Sequence, residues 1–167
     1  MSESETISPS SPTKECNVEQ SSLPTNDYAI MNLYGLRLEQ NKKQGLQLLK
    51  DAALIERDTH AQFNLAQAYQ EGAVVSKNDK VARQLYQKAA KQGNMEAAYN
   101  LANMYLYGEG GRKDESQAFK LFQFIAQEAG DPDAIHNVAN MYWNGIGVKK
   151  DKKRAECIWK EGCESNK

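Results

Sequence analysis

The chain has 167 residues, and its 21 Lys and Arg nearly balance its 22 Asp and Glu, so the net charge is −1. This length is enough for one domain with a buried core. Nucleic-acid binding needs clustered basic residues, which this balance argues against. Membrane insertion needs a run of about 18 apolar residues, which the chain lacks. We therefore expect neither nucleic acid nor membrane insertion.

Residues 1–26 differ in composition from the rest of the chain. They are rich in Ser and Pro, contain no aromatic residue and carry a net charge of −3. Their charged residues are Glu3, Glu5, Glu15, Glu19 and Lys14. This segment has too little apolar surface to offset the entropy cost of ordering its backbone. We therefore predict a disordered acidic tail. Ser8-Pro9 and Ser11-Pro12 are candidate phosphorylation sites, and a plain solvated tail is the alternative.

The chain from residue 27 to residue 167 is predicted to be a repeat domain. Three copies of one pattern occupy residues 61–93, 97–130 and 134–163, at a period of 36 or 37 residues. An Ala, an aliphatic residue and a Tyr recur at spacings of four and eight, which place each trio on one face of a helix. The trios are Ala61, Leu65 and Tyr69; Ala97, Leu101 and Tyr105; and Ala134, Val138 and Tyr142.

Each trio is followed by signals for a helix end and a new helix start. A Gly three residues after the Tyr suits a helix end, and an Asn or Asp six residues later suits an N-cap. These residues are Gly72, Gly108 and Gly145, then Asn78, Asp114 and Asp151. A fourth, degraded copy occupies residues 27–57, with Gly35 and Asn41 in the corresponding places. The pattern predicts four antiparallel helix pairs, an all-α fold without strands.

These residues resemble Sel1-like repeats, which are relatives of the tetratricopeptide repeat. The third copy is the most similar, through Gly145, Gly147, Val148 and Asp151. The first copy departs from the family pattern at Val74, where a second glycine is expected, and all three copies have Ala where the family often has Gly. The resemblance implies a right-handed α-α solenoid of helix-turn-helix repeats.

In tetratricopeptide solenoids the first helix of each pair lines a concave groove, so the resemblance implies a groove that binds a protein or peptide partner. Position by position, it assigns ten residues to partner binding: Phe63, Asn64, Tyr99, Asn100, Asn103, Tyr107, His136, Asn137, Asn140 and Trp143. Amides can hold an extended peptide backbone, and aromatic side chains dominate binding energy. The alternative is that the asparagines tie neighbouring helices together and the aromatic residues form core.

The position of each aromatic residue relative to the trio predicts whether it lies in the core or on the surface. We expect Tyr105 and Tyr142 in the core, and Tyr107 and Trp143 on the surface because they lie one or two residues beyond the core stripe. The three first helices contain no Lys or Arg. A basic clamp for a partner's terminal carboxylate, as used by some tetratricopeptide domains, is therefore not expected.

No residue pattern in the chain points to chemistry. His60 and His136 lie in different repeats, and the glycine-rich loops follow helices instead of strands, unlike nucleotide-binding loops. We predict no catalytic residue, no metal and no cofactor, and therefore a non-catalytic adaptor or scaffold. The alternative, suggested for some secreted bacterial Sel1-like proteins, is an enzyme-like small-molecule binder or hydrolase.

The last predicted helix bears more apolar residues than one neighbouring helix can cover. These are Ala155, Ile158, Trp159 and Cys163. An end of a solenoid needs a polar cap, so we expect this uncapped C-terminal end to be covered by a partner, by a second copy of the chain or by the folded-back acidic tail. The basic run from Lys149 to Arg154 beside it is either a docking patch for an acidic segment or a solvated loop.

Three cysteines are too few for a disulfide framework, and no Asn-x-Ser/Thr acceptor for glycosylation occurs. The N-terminal region lacks the apolar core of a secretory signal. We therefore expect a reducing compartment, the cytoplasm or the nucleus.

Overall fold

The computed structural model describes residues 42–72 and 75–161. Within these ranges the chain forms seven α-helices and no strand, which confirms the all-α prediction. The helices are α1 (Lys42–Leu54), α2 (Thr59–Glu71), α3 (Asp79–Lys91), α4 (Met95–Tyr107), α5 (Glu115–Glu128), α6 (Pro132–Asn144) and α7 (Lys152–Glu161). The predicted tail 1–26, the predicted first helix of the degraded repeat, Val74 and Cys163 lie outside the described residues.

Each helix packs mainly against the helix before it and the helix after it in the sequence. The helices α2 and α3, α4 and α5, and α6 and α7 therefore form three successive pairs, and α1 packs on α2. Packing between sequence neighbours is what defines a solenoid, in which each repeat is stabilised by the repeats that flank it.

Asx side chains begin most of the helices. The predicted caps of the second helices are confirmed: Asn78 and Asp114 accept hydrogen bonds from the backbone N–H groups of Val81 and Gln117. Asp151 accepts one from Arg154 N–H. The first helices are capped in the same way by Asp58, Asn94 and Asp131, which we did not predict. Each cap satisfies a backbone donor that the helix itself leaves without a partner.

The predicted glycines end the first helices. Gly72, Gly108 and Gly145 have φ angles of 72°, 77° and 76°, in the left-handed region, and their N–H groups donate to the carbonyl four residues earlier. Only glycine enters this region without a steric penalty from Cβ.

A second glycine in the same loop brings consecutive repeats together. A Cβ added at Gly110 would lie 2.1 Å from the Asp79 carbonyl oxygen, and one added at Gly147 would lie 2.1 Å from that of Glu115. Asp79 and Glu115 begin the second helices of the preceding repeats. The second glycine is therefore the point where one repeat's loop rests directly on the backbone of the repeat before it.

The core combines alanines and aliphatic side chains with large aromatic residues. Ala66, Ala102 and Ala139, which stand where the family often has Gly, are fully buried. So are Tyr86 and Phe122, the aromatic residues of the second helices. Methyl groups let the helices approach closely, and the rings fill the space between the pairs.

The predicted core tyrosines differ in burial. Tyr142 is buried as expected, whereas Tyr105 is only partly buried at the junction of the two core clusters. The Arg83 guanidinium lies 4.0 Å from the centre of the Tyr105 ring. In the next repeat a phenyl ring, Phe119, takes the place of that guanidinium and packs edge-on against Tyr142 at 5.1 Å.

The last helix agrees with the prediction that one neighbouring helix cannot cover all of its apolar residues. Ala155 and Ile158 are buried in the core cluster. Trp159 remains 44% exposed, while its counterparts Tyr86 and Phe122 are fully buried. The apolar surface left on α7 is thus centred on one indole ring.

Candidate functional site

The ten residues predicted to bind a partner, here called the first-helix row, are carried by three successive first helices. Phe63 and Asn64 lie on α2; Tyr99, Asn100, Asn103 and Tyr107 lie on α4; His136, Asn137, Asn140 and Trp143 lie on α6. The structure brings only some of these ten residues together, in three groups.

The first group lines a cavity of about 340 Å³. Phe63 reaches it from α2, and Tyr99 and Asn100 reach it from α4. The remaining lining residues are Met95, Glu96, Ile125, Ala129, Asp131 and Asp133. The cavity thus lies where α4 and α6 begin and α5 ends, and we call it the acidic pocket because three of its lining residues carry carboxylates.

The second group ties helices or turns together. The Asn137 amide donates to the Tyr99 hydroxyl over 3.1 Å, which links α6 to α4. The Asn140 amide oxygen accepts from the Asn144 side chain over 2.6 Å, within α6. Asn137 therefore ties two neighbouring helices together, whereas the hydrogen bond of the exposed Asn140 stays within its own helix.

The third group gathers around Trp159 on α7. The Trp143 and Trp159 rings lie 5.5 Å apart, the His136 and Trp159 rings lie 6.1 Å apart, and the Lys152 ammonium lies 4.6 Å from the Trp143 ring. The expectation that Trp143 is a surface residue is therefore only partly right, because these neighbours leave it half-buried. The sequence position of Trp143, one residue beyond the core stripe, did not reveal the residues that cover it, because they belong to α7.

Three row residues remain available on the surface of α4. Tyr107 is 69% exposed, as predicted. Within the described part of the chain, the side chains of Asn100 and Asn103 make no hydrogen bond to other protein groups. Amide groups without an internal partner can bind a ligand without first breaking a protein contact.

The row's aromatic residues also have a structural role that the sequence did not show. In each repeat the aromatic residue two positions before the aliphatic residue of the trio packs on the aromatic residue of the second helix. The pairs are Phe63 with Tyr86 at 5.8 Å, Tyr99 with Phe122 at 5.4 Å, and His136 with Trp159 at 6.1 Å. Phe63 and Tyr99 therefore line the pocket and also pack against the aromatic core residue of their own repeat.

Charge is distributed unevenly over the site. The helices α2, α4 and α6 contain no Lys or Arg, and they carry Glu71, Glu96 and Asp133. Within the described ranges, none of the three pocket carboxylates belongs to an ion pair. Asp131 is occupied as the N-cap of α6, whereas Glu96 and Asp133 are exposed. The pocket is consequently a negatively charged rim over an apolar floor.

Arg83 fixes a loop, a role that the sequence did not reveal. Its Nη1 group donates to the carbonyl oxygens of Arg112 at 3.1 Å and Glu109 at 3.4 Å, while its guanidinium covers Tyr105. The loop after α4 is thereby held by the preceding repeat. An isolated basic residue on a helix gives no sequence signal for such a contact, because the acceptors are backbone atoms.

No group of three or more His, Cys, Asp and Glu side chains within residues 42–72 and 75–161 is arranged to hold a metal ion. His60 Nδ1 lies 3.8 Å from Asp58 Oδ1, and the imidazole is exposed. None of the seven described helices is long and apolar enough to span a bilayer.

The sequence and its fold match known repeat proteins. The family model of the Sel1 repeat matches residues 26–54, 59–94, 96–128 and 132–156. The chain belongs to the Sel1 repeat family. A Sel1 repeat protein from Oxalobacter formigenes has a similar crystal structure, with a TM-score of 0.74 and 31% identity over 81% of this chain and 55% of that one.

Three further similarities extend this Sel1 assignment. A protective antigen of uropathogenic Escherichia coli strains has a TM-score of 0.74 and 27% identity, over 81% of this chain and 28% of that one. A Sel1-like repeat protein of Schizosaccharomyces pombe is 36% identical over 67 residues, which are 40% of this chain and 10% of that protein. An exopolysaccharide production negative regulator of Rhizobium meliloti is 39% identical over 51 residues, 30% of this chain and 19% of the regulator. This chain therefore matches only a small part of these two relatives' lengths.

Proposed function

We propose that this Sel1 repeat protein is a non-catalytic adaptor or scaffold that binds an extended segment of a partner protein along the first-helix row. Sel1 repeat solenoids are generally protein-interaction scaffolds. The observation that carries the proposal is the acidic pocket, because it joins Phe63, Tyr99 and Asn100 from two consecutive repeats around one cavity.

The amides and the exposed aromatic residue on α4 support an extended peptide as the ligand. Asn100 and Asn103 are separated by one helical turn, so both can reach the backbone of the same peptide. Tyr107, one further turn along, offers a large ring that binds at low entropy cost. The proposal retains the expectation of a cytoplasmic or nuclear protein, based on its cysteine content and lack of a glycosylation acceptor.

Selection from a phage-displayed library of random dodecapeptides tests this function. We expect enriched peptides to bind the purified protein, and we expect Tyr107→Ala to weaken them by at least about 1 kcal/mol, or about fivefold in Kd. Phe124→Ala is the matched control, since Phe124 is an exposed aromatic residue on the second helix α5, outside the row. Equal effects of the two substitutions would contradict the proposal, and a small molecule copurifying in the acidic pocket would favour the enzyme-like alternative.

We also propose a second contact surface around Trp159. The equivalent ring in each earlier repeat is fully buried, whereas Trp159 is 44% exposed beside the exposed Lys152, Lys153 and Arg154. A second copy of the chain or an outside partner is the expected cover for this ring. Sedimentation velocity at several protein concentrations checks self-association, which Trp159→Glu should abolish. A monomer at every concentration would leave only the outside partner.

A further inference from the structure

The acidic pocket combines three features that together define the chemistry of what it can hold. Its floor is apolar, formed by Phe63, Met95, Tyr99, Ile125 and Ala129. Its rim carries the carboxylates of Glu96, Asp131 and Asp133. Its volume of about 340 Å³ lies at the small end of ligand pockets, which begin near 300 Å³, so it suits one side chain of a peptide better than a large molecule.

The three carboxylates are not neutralised by the protein itself. Among the described residues, the ion pairs join His60 to Asp58, Lys77 to Asp79 and Lys113 to Glu115, and none of them reaches the pocket. The helices that form the row contribute no cation either. Asp131 has an internal task as a helix cap, but its second oxygen and the carboxylates of Glu96 and Asp133 remain available to a ligand.

A long basic side chain matches this arrangement. The aliphatic stem of Arg or Lys packs on apolar surface while its charged head reaches polar groups. A guanidinium is also attracted to aromatic rings, which Phe63 and Tyr99 supply. The protein uses this chemistry internally, since the Arg83 guanidinium lies 4.0 Å from the Tyr105 ring centre.

We propose that the acidic pocket binds an Arg or Lys side chain of the partner segment, with Asn100 hydrogen-bonding the peptide backbone beside it. This inference rests on the proposed function and adds to it the class of partner: a peptide with a basic residue at a fixed position. Arg is the better ligand, because its planar head can contact a carboxylate with two N–H groups and a ring face at once.

Three blocked peptides that differ only at the central residue test the inference. They have the form acetyl-Ser-Leu-X-Leu-Ser-amide, where X is arginine, its neutral isostere citrulline, or glutamate. Titrated into ¹⁵N-labelled protein, the arginine peptide should shift the backbone amides of residues 95–100, 129–131 and 133. We expect citrulline to bind at least about fivefold more weakly and glutamate not to saturate. Raising the salt from about 50 mM to about 500 mM should weaken only the arginine peptide.

Matched variants separate the pocket's charge from the overall charge of the protein. Glu96→Gln with Asp133→Asn should weaken the arginine peptide at least fivefold, and Glu56→Gln with Glu156→Gln, which changes the net charge equally, should change it less than twofold. Asp131 is left intact because it caps α6. Asn100→Asp adds a carboxylate to the pocket and should strengthen arginine binding, a gain that misfolding cannot produce.

Two results would overturn the inference. One is equal binding of arginine and citrulline peptides; the other is a set of shifted amides that leaves out the pocket. Either result could occur while peptides selected from the random library still depend on Tyr107. In that case the first-helix row binds peptides, and only the assignment of a basic residue to the pocket fails. If no selected peptide depends on Tyr107 but the arginine peptide still occupies the pocket, the broader proposal fails and the pocket assignment stands.

Discussion

Replacing the second loop glycine should expose how strongly consecutive repeats depend on each other. Gly147 has a φ angle of 65°, and a Cβ at this position would lie 2.1 Å from the Glu115 carbonyl oxygen and 2.8 Å from the Ser116 nitrogen. Both are backbone atoms at the start of α5, so no side chain can turn away to make room. Gly147→Ala must therefore displace the loop from the preceding repeat.

The expected cost has two parts. A left-handed backbone costs an L-residue roughly 1–2 kcal/mol, and forcing an extra methyl into a packed site costs about 1–3 kcal/mol. We expect Gly147→Ala to lower the free energy of unfolding by about 2–5 kcal/mol, a large part of the roughly 5–15 kcal/mol that holds a domain folded. Gly130→Ala is the control: its φ angle is 61°, but an added Cβ would have no neighbour within 4 Å.

Urea denaturation followed by circular dichroism measures both variants. The control should lose only the backbone part, about 1–2 kcal/mol, and the difference between the variants isolates the contact between repeats. Hydrogen exchange adds the location, because the loss of protection in Gly147→Ala should be greatest at the α5 start and in α6 and α7. Equal destabilisation of the two variants would show that the loop can move away without cost, and our account of the second glycine would be wrong.

Three further perturbations follow from individual contacts. Asn94→Ala removes the α4 N-cap and should lower the free energy of unfolding by about 1 kcal/mol, measured by urea denaturation. Arg83→Lys keeps the charge but cannot donate to two loop carbonyls while covering a ring, so it should cost about 1–2 kcal/mol in the same assay. The hydrogen bond from Lys113 lowers the pKa of the exposed Glu115 carboxyl, so Lys113→Ala should raise that pKa in an NMR titration. Because the folded-state pKa is the lower one, whatever the contact contributes to stability is present above the unfolded pKa of Glu115 and is lost as the pH falls through its folded value.

The repeat pattern allowed the fold to be predicted because its signals act within one helix or one loop. A trio at spacings of four and eight defines a helix face, and Gly108 or Gly145 marks a helix end through its own φ angle. These features depend on residues close in sequence. The all-α stack, the helix ends and the second-helix caps therefore follow from sequence alone.

The site was harder to predict because it depends on contacts between helices. Helical spacing places Asn137 on the same side as Tyr99 but does not show that they share a hydrogen bond. It likewise places Trp143 beyond the core stripe without revealing Lys152 and Trp159, which come from the next helix. Both cases need the distance between two helices, which the sequence does not contain.

The acidic pocket was missed for a related reason. Glu96, Asp131 and Asp133 stand at helix starts, where acidic residues are expected because they favour the positive end of the helix dipole. That local explanation is sufficient for each residue taken singly. Only the packing of α4 and α6 on the intervening α5 places the three carboxylates around one cavity with Phe63, which lies more than thirty positions away in the sequence.

Two cavities of the protein are lined by opposite charges, and this difference affects how a charged partner approaches. A cavity of about 540 Å³ between α1 and α3 is lined by Arg57, Lys88 and Lys91, cations from a loop and a second helix. The first helices, by contrast, supply only acidic, amide and apolar groups to the acidic pocket. The pocket carboxylates therefore attract a basic segment before any contact forms. On this reasoning the association rate of an arginine-containing partner should fall with added salt, and neutralising the two exposed pocket carboxylates should remove most of that dependence.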